Sequence, residues 1–442
     1  MDGDVPTHAS ALDVSDLRKR SLIERLLESL RRPSVYRFMQ RWFPIVPGKI
    51  AWVWRYDDVV ELLSREQVFQ VDGRRIREAN SVRGQDGPNF LPGMQDDVRC
   101  PFHSVVAGPR SRRREGPPWG YRDYQDLSMR MFKLEDLPAV GDLVERWVSR
   151  ELSSLPADTT GVVQFDVIER LISAVSIVLC EHYCGLRITD SKDFANCALV
   201  ANRWLFDPPV GSELRDAGRA ASERLNRVID AAIDAALADS RAPGRDTIID
   251  RALDEGIDRT IVRVLVFGMV VLLVPFCTMA GGHILEALLS RREFLQRAQA
   301  AARPGASDQE LERCLFEALR FMPLWREPLR VVAQPYTLAE GRWYQRRFEV
   351  GQRVVAFTAA AMMDPRRVPA PDEFQPLRAA DNSLVFGYGM HRCVGAPLAQ
   401  MHITRALKPL LNRRNLRRAP GKAGRLVRMA SFPEHLSVCF DA

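Results

Sequence analysis

The sequence predicts a mainly α-helical fold with a smaller β-rich part, and three observations carry that prediction. Residues from about 125 to 300 read as successive helical stretches, with breaks near Leu155–Gly161, Gly185–Asp190, Asp207–Gly211 and Ala242–Asp246. Val264 to Gly282 runs for nineteen residues without a charge, between highly charged segments. Beyond Val331 the pattern becomes short β-type runs and a Pro-rich meander, then a cysteine-containing loop and a last helix. The chain shows neither an internal repeat nor a Gly/Ser linker, so its 442 residues are expected to form one domain, 1–442, with residues 1–20 as a flexible lead. A chain of this length buries about three-quarters of its unfolded surface, enough to enclose a cofactor.

Composition is that of a globular protein, 46% hydrophobic and 27% charged. The net charge of +7 is unevenly placed: Arg405 to Arg428 holds nine Lys/Arg and no acid. That stretch reads as a solvated helix and loop, or as a patch for an acidic partner. Nucleic acid is not expected, because aromatic interleaving and recognised motifs are both missing. The eight cysteines follow no CxxC or disulfide framework, and Met1–Leu17 carries four Asp and no secretory pattern, so a reducing, cytoplasmic location is expected. The apolar run Val264–Gly282 is long enough to cross a membrane. A helix apolar all round also suits the interior of a large protein, and that is the reading adopted, with no stable membrane insertion.

Along the chain, Ser21–Trp42 is an amphipathic helical stretch. Ala51-Trp-Val-Trp-Arg-Tyr56 is strand-like, and Asp57 and Asp58 offer an N-cap to a helix through Leu63. Arg74–Trp119 is rich in Gly, Pro and Arg and reads as loop. Cys180, His182 and Cys184 are close in sequence but follow the apolar run Leu171–Leu179, which favours core over zinc. Gly281-Gly282 lacks the pattern of a phosphate loop.

The densest information lies in Phe386-Gly-Tyr-Gly-Met-His-Arg-Cys393-Val-Gly-Ala-Pro-Leu-Ala399. Cys393 stands in a glycine-bent loop before a helix N-terminus, where the dipole and loop N–H groups favour a thiolate. Gly389 and Gly395 are expected to let backbone approach the sulfur, and Pro397 suits a first helical turn. Glu317-Ala-Leu-Arg320 sits on a helical segment among apolar residues, so the pair shares a face and needs further hydrogen bonds. Arg378 can supply them.

The pattern FxxGxHxCxG, with this Glu–Arg–Arg set, resembles the cytochrome P-450 superfamily. The resemblance covers Val264 to the C-terminus well and the N-terminal half loosely, through Trp54-Arg-Tyr-Asp-Asp-Val-Val. It implies the cytochrome P-450 fold, with haem b buried between the helical and β-rich parts. It implies Cys393 as the axial iron ligand, bound as a thiolate. Phe386 and Gly395 would flank the cofactor, and Arg330 and His391 would hold its propionates. Glu317, Arg320 and Arg378 would be a structural triad beside the loop. The family's HxxxR or WxxxR element near residue 100 is missing from Asp96-Asp-Val-Arg-Cys-Pro-Phe-His103, where His103 is the candidate substitute.

A second departure bears on chemistry. The family's long buried helix usually carries Gly-x-Asp/Glu-Thr, which relays protons to bound dioxygen. Here Val274-Pro-Phe-Cys-Thr278 aligns with that site, putting Phe276 at the acid and Cys277 at the alcohol. Thr278 is one residue late, where a Pro275 kink can re-aim it. Two activities follow from the resemblance. One is a monooxygenase acting on a small lipophilic molecule, with electrons from a ferredoxin and ferredoxin reductase docking at Arg405–Arg428. The other is an enzyme using peroxide, or rearranging a fatty-acid hydroperoxide. For the latter, Ala361-Met-Met-Asp-Pro365 and the cysteine loop are similar to oxylipin-forming haem-thiolate domains. A haem-binding protein without turnover is the third possibility. The loop Ser81–Met94, including Phe90 and Leu91, and the turn at Phe432-Pro433 are expected lids over an apolar pocket also lined by Val274.

Overall fold

The computed structural model describes residues 32–71, 121–206, 212–238, 246–324, 327–379, 383–429 and 431–442. The expected lead, the Ser81–Met94 lid with Phe90 and Leu91, His103, and two of the four helix breaks lie outside them. So does the start of the Ser21–Trp42 stretch.

The N-terminal part is α1 (Pro33–Trp42), β1 (Ile45–Val46), β2 (Ile50–Val53), α2 (Tyr56–Ser64) and β3 (Phe69–Val71). A helical layer follows: α3 (Tyr121–Met131), α4 (Leu137–Ser154), strand β4 (Val162–Asp166), a π-helical turn at Ile168–Ser173, and α5 (Ala174–His182). It continues through α6 (Ser191–Phe206), α7 (Ser212–Ala238), α8 (Ile248–Asp254), α9 (Arg259–Ser290), α10 (Arg292–Ala302) and α11 (Asp308–Phe321). The β-rich part has β5 (Leu329–Val332), β6 (Tyr336–Leu338), β7 (Arg346–Phe348), β8 (Arg353–Ala356) and the short α12 (Thr358–Ala361). The C-terminal part is α13 (Ala396–Leu411), β9 (Arg414–Arg418), β10 (Val427–Met429), β11 (Phe432–His435) and β12 (Ser437–Asp441).

The main sheet has the order β1-β2-β8-β5-β3. Its β2–β8 pair is parallel, with Ile50 opposite Arg353 and Val53 opposite Ala356, and the other pairs are antiparallel. Stacked rings seal its junction with α12: Trp54 lies on Phe357 at 4.1 Å between centroids, with Trp52 at 5.6 Å. A three-stranded sheet β4-β12-β9 ties the middle of the chain to its end. The strand-like reading of 51–56 holds for Ala51–Val53. The proposed cap does not: the helix begins at Tyr56 with Arg55 as N-cap, and Asp57 and Asp58 lie inside its first turn. There Asp57 pairs with Arg367 at 2.6 Å, while Asp58 is buried and accepts from the Tyr344 hydroxyl at 3.4 Å.

The uncharged stretch is the middle of α9, and the interior reading holds. Residues Val264–Val271 and Met279–Leu285 are buried on every side, so the helix is apolar all round because protein surrounds it. Asp258 caps it by accepting from the Thr260 N–H at 2.8 Å. Gly281 and Gly282 are packing residues. A Cβ at Gly282 would stand 2.6 Å from Pro433 Cγ, and one at Gly281 2.7 Å from Ile172 Cγ2. Two glycines therefore let the π-helical turn and β11 close onto α9.

Candidate haem-thiolate site

The cysteine loop is held from three sides. Gly387 and Gly389 take φ values of +76° and +66°, the left-handed region that favours glycine. A Cβ at Gly389 would come within 2.7 Å of the Leu63 carbonyl oxygen on α2. Gly389 thus gives room to α2. Gly395 is the glycine beside the sulfur, since a Cβ there would lie 3.9 Å from Cys393 Sγ. The Cys393 N–H donates to the Phe386 carbonyl at 2.8 Å, which closes the loop. The Phe386 ring lies 5.4 Å from Phe316 on α11. Gly395 is the N-cap of α13, which begins at Ala396 with proline in its first turn, as the sequence predicts.

Burial pushes the Cys393 thiol up, while the Gly395 N–H and the Arg392 charge pull it down. The residue as a whole is nevertheless exposed. This donor set fits haem iron. A metal cation reverses the burial penalty and deprotonates the thiol, and the Gly395 N–H is already placed to stabilise the thiolate.

Across from the loop, at the middle of α9, sits Cys277. It is buried, and its thiol is pushed up to about 12, chiefly by burial and then by proximity to Cys393. The Thr278 hydroxyl donates back to the Val274 carbonyl at 2.7 Å. Phe276 points toward Phe206 at the end of α6 (5.9 Å) and Phe432 on β11 (6.5 Å). The sequence reading found Phe276 and the Phe432-Pro433 turn but missed Phe206. It also missed the signal in Gly281-Gly282, two adjacent glycines in a helix otherwise filled with bulky residues, which mark a close approach.

Beside the loop, Arg320 binds both carboxylate oxygens of Glu317, at 2.8 and 3.0 Å. Arg320 also donates to the carbonyls of Met362, Pro371 and Glu373. Arg378 reaches Glu317 Oε1 at 3.5 Å and the carbonyls of Pro369, Ala370 and Glu373, and the Gln375 N–H adds a bond to Glu317 at 3.1 Å. The three predicted residues are therefore brought together. Arg330 is buried on β5, with Nη1 donating to the Leu329 carbonyl at 3.0 Å. His391 is half-buried in the 3-10 turn Gly389–His391.

The basic stretch differs from its sequence reading. Arg405 pairs with Glu145 and Asp308, Lys408 with Asp308, Arg417 with Asp441 and Arg418 with Glu286. Much of that charge is spent inside the molecule. Cys180 and Cys184 are buried free thiols, and among the described residues no cluster of His, Cys, Asp and Glu could hold a metal ion.

The family model for cytochrome P450 matches residues 310–428, a stretch that holds Glu317, Arg320, Arg378 and Cys393. The chain is 35% identical over 124 residues to psi-producing oxygenase A of Aspergillus fumigatus, 28% of this chain but 11% of that protein. It is 35% identical over 80 residues to linoleate diol synthase of Gaeumannomyces graminis, 18% of this chain and 7% of that protein. It is 30% identical over 148 residues to the putative cytochrome P450 YjiB of Bacillus subtilis, 32% of this chain and 35% of that protein. The chain thus spans only a small part of the length of the fungal relatives. Among solved structures, a P450 EryK mutant in complex with erythromycin B superposes with a TM-score of 0.71 at 17% identity, covering 95% of this chain and 98% of the other. CalO2 gives 0.73 at 20% identity, covering 93% and 96%. Haem bound through a cysteine thiolate is the cofactor these likenesses carry. Residues 310–428 thus match the cytochrome P450 family model, and nearly the whole chain has the fold of the solved cytochrome P450 structures.

Proposed function

We propose that this chain transforms a lipophilic hydroperoxide of the fatty-acid class, drawing its oxidising power from the substrate's own O–O bond. The observation that carries the reading lies on α9. Its middle offers a ring, a protonated thiol and a threonine whose hydroxyl is already engaged by its own helix, with no carboxylate from Val264 to Leu285. A dioxygen-using site needs protons delivered to the bound oxygen; a substrate that already contains an O–O bond needs neither that delivery nor electrons from a reductase.

Cys393 would hold the iron, Arg330 and His391 the propionates, and Phe386 and Gly395 would flank the ring. Thiolate-bound haem pushes electron density onto iron and favours O–O cleavage. The chain's own part is to bind and to keep water out. Phe206, Phe276 and Phe432 come from three elements and supply apolar contact for a hydrocarbon chain. The Gly282–Pro433 contact fixes the β10–β11 turn against α9. The names of two relatives support the substrate class: one is a linoleate diol synthase, another a dioxygenase joined to an epoxy alcohol synthase.

The test is to mix the ferric protein with a fatty-acid hydroperoxide, without air or reductant, and follow products by mass spectrometry. Rapid conversion to rearranged or hydroxylated lipid is expected. Conversion only with dioxygen, ferredoxin and reductase would overturn the reading. It would favour a monooxygenase, the alternative that the bacterial relatives YjiB and P450-SU2 of Streptomyces griseolus support.

A further inference from the structure

A proline inside a helix leaves one carbonyl without its usual donor. Pro275 stands inside α9. Lacking an N–H, it cannot bond the carbonyl of Val271, one turn before it. The donor comes from another helix. Asn202 on α6 gives its Nδ2 to the Val271 carbonyl at 2.7 Å, and the bond is buried. The carbonyl fixes which way the amide faces, since only the NH2 side can donate to it. The other side, Asn202 Oδ1, is buried without a hydrogen-bond partner. A buried acceptor left unpaired costs about as much as one such bond contributes. Stability alone therefore gives little reason for an asparagine here. What the bond does supply is register, because it ties one point of α6 to one point of α9.

Asn202 and Phe206 are four residues apart and share a face of α6. Phe206 is the ring that meets Phe276 at 5.9 Å, and Phe276 adjoins Pro275. The two helices thus meet through an amide and, one turn on, through a pair of rings. We propose that Asn202 is a positioning residue for the apolar pocket. By replacing the hydrogen bond that Pro275 removes, it sets Phe206 against Phe276 and so the hold of the pocket on a hydrocarbon chain. The inference rests on the reading of these rings as the hydrocarbon site and stands apart from the choice of oxidant. It makes Asn202 and Pro275 a coupled pair: Pro275→Ala gives α9 back the missing N–H, and the amide is then redundant.

The experiment uses the haem-loaded full chain and two probes that bind ferric haem through an imidazole nitrogen, 1-methylimidazole and 1-dodecylimidazole. Shifts of the haem spectrum give their dissociation constants. The methyl compound reports access to the iron, and the ratio of the two reports the apolar contact. The parent should bind the dodecyl compound at least about tenfold more tightly. Asn202→Leu nearly keeps the side-chain volume and removes the donor. It should cut that ratio about fivefold, the size of one hydrogen bond, with 1-methylimidazole affinity within about twofold of the parent. A general loss of structure would instead weaken both probes alike. Asn202→Ala should give the same result, and is read if the leucine variant holds no haem. In a Pro275→Ala background, either substitution should change the ratio by less than about twofold. An equal change in both backgrounds would overturn the proposal, because the amide would then act on something other than the Val271 carbonyl. So would a parent-like ratio in Asn202→Leu. A parent with no preference for the dodecyl chain would show that Phe206, Phe276 and Phe432 do not hold a hydrocarbon, and the pocket reading would fail together with this one.

Discussion

Arg320 clasps Glu317 through both carboxylate oxygens, with 3% and 7% of the two side chains exposed. Arg378 and the Gln375 N–H are turned on the same carboxylate. Removing one partner would leave an uncompensated buried charge, which costs about 3–5 kcal/mol. Glu317→Ala should therefore lose that much stability in urea titrations and retain less haem. Arg378→Ala, with its weaker 3.5 Å contact, should cost clearly less. Equal losses would show that the pair and Arg378 act as one unit.

Thr278 donates to the Val274 carbonyl at 2.7 Å, the usual resting place of a helical threonine hydroxyl. Thr278→Val should leave hydroperoxide turnover within about twofold of the original, whereas loss of a working proton donor typically costs about 10²–10⁴-fold. The ratio of turnover numbers decides it.

Two buried groups give opposite pH dependences. Burial lowers His402 from 6.5 to about 4, and its Nε2 lies 3.2 Å from Ser176 Oγ. The unfolded chain takes up a proton below pH 6.5 that the folded chain refuses. His402 therefore removes about 3 kcal/mol of stability as pH falls from 6.5 to 4. Asp58 is raised from 3.8 to about 6, by burial against the opposing pull of Arg342 and Tyr344. The folded chain takes up that proton first, so Asp58 adds stability as pH falls through 6 toward 3.8. His402→Gln should make the protein gain stability, relative to the parent, as pH is lowered through this window. Asp58→Asn should make it lose stability by comparison. Melting curves at a series of pH values would show both, and parallel curves for all three proteins would contradict the assignment.

Gly282 lies against Pro433 with no room for a methyl group. Gly282→Ala should displace the β10–β11 turn and cost about 1–3 kcal/mol, as overpacking does. Because Phe432 moves with that turn, the variant should also bind substrate more weakly. Substrate-induced shifts of the haem spectrum measure the affinity. Gly256→Ala is the control for lost stability alone: nothing lies within 4 Å of a Cβ there but its φ of +71° strains an alanine, so stability should fall while substrate affinity stays at the parent value. Parent-like affinity in Gly282→Ala would separate the turn from the substrate pocket.

What the sequence made readable follows from where the information sits. The cysteine loop and Glu317–Arg320 are contiguous patterns, each specifying its own turn or helix face, so both were found. The α9 interior was legible because an uncharged nineteen-residue stretch between charged segments has few places to go. Strand β4 was passed over inside a helical region, although Val163 and Phe165 alternate as buried positions; its partner β12 lies at the other end of the chain. The neutralisation of Arg405 depends on Glu145 and Asp308, which the sequence sets far away. The cap assigned to Asp57 and Asp58 failed for a similar reason: Arg367 and Tyr344, from the β-rich part, claim those carboxylates. Local patterns carried the site, and long-range pairing carried the rest.

Everything proposed for the chemistry depends on Cys393 holding the iron. The reduced carbon-monoxide complex of the parent protein should show the thiolate-type absorption band, and Cys393→Ser should abolish it while secondary structure by circular dichroism is kept. An unchanged band in Cys393→Ser would mean that another group holds the iron, and the site built around Cys393, Gly395 and Phe386 would be wrong.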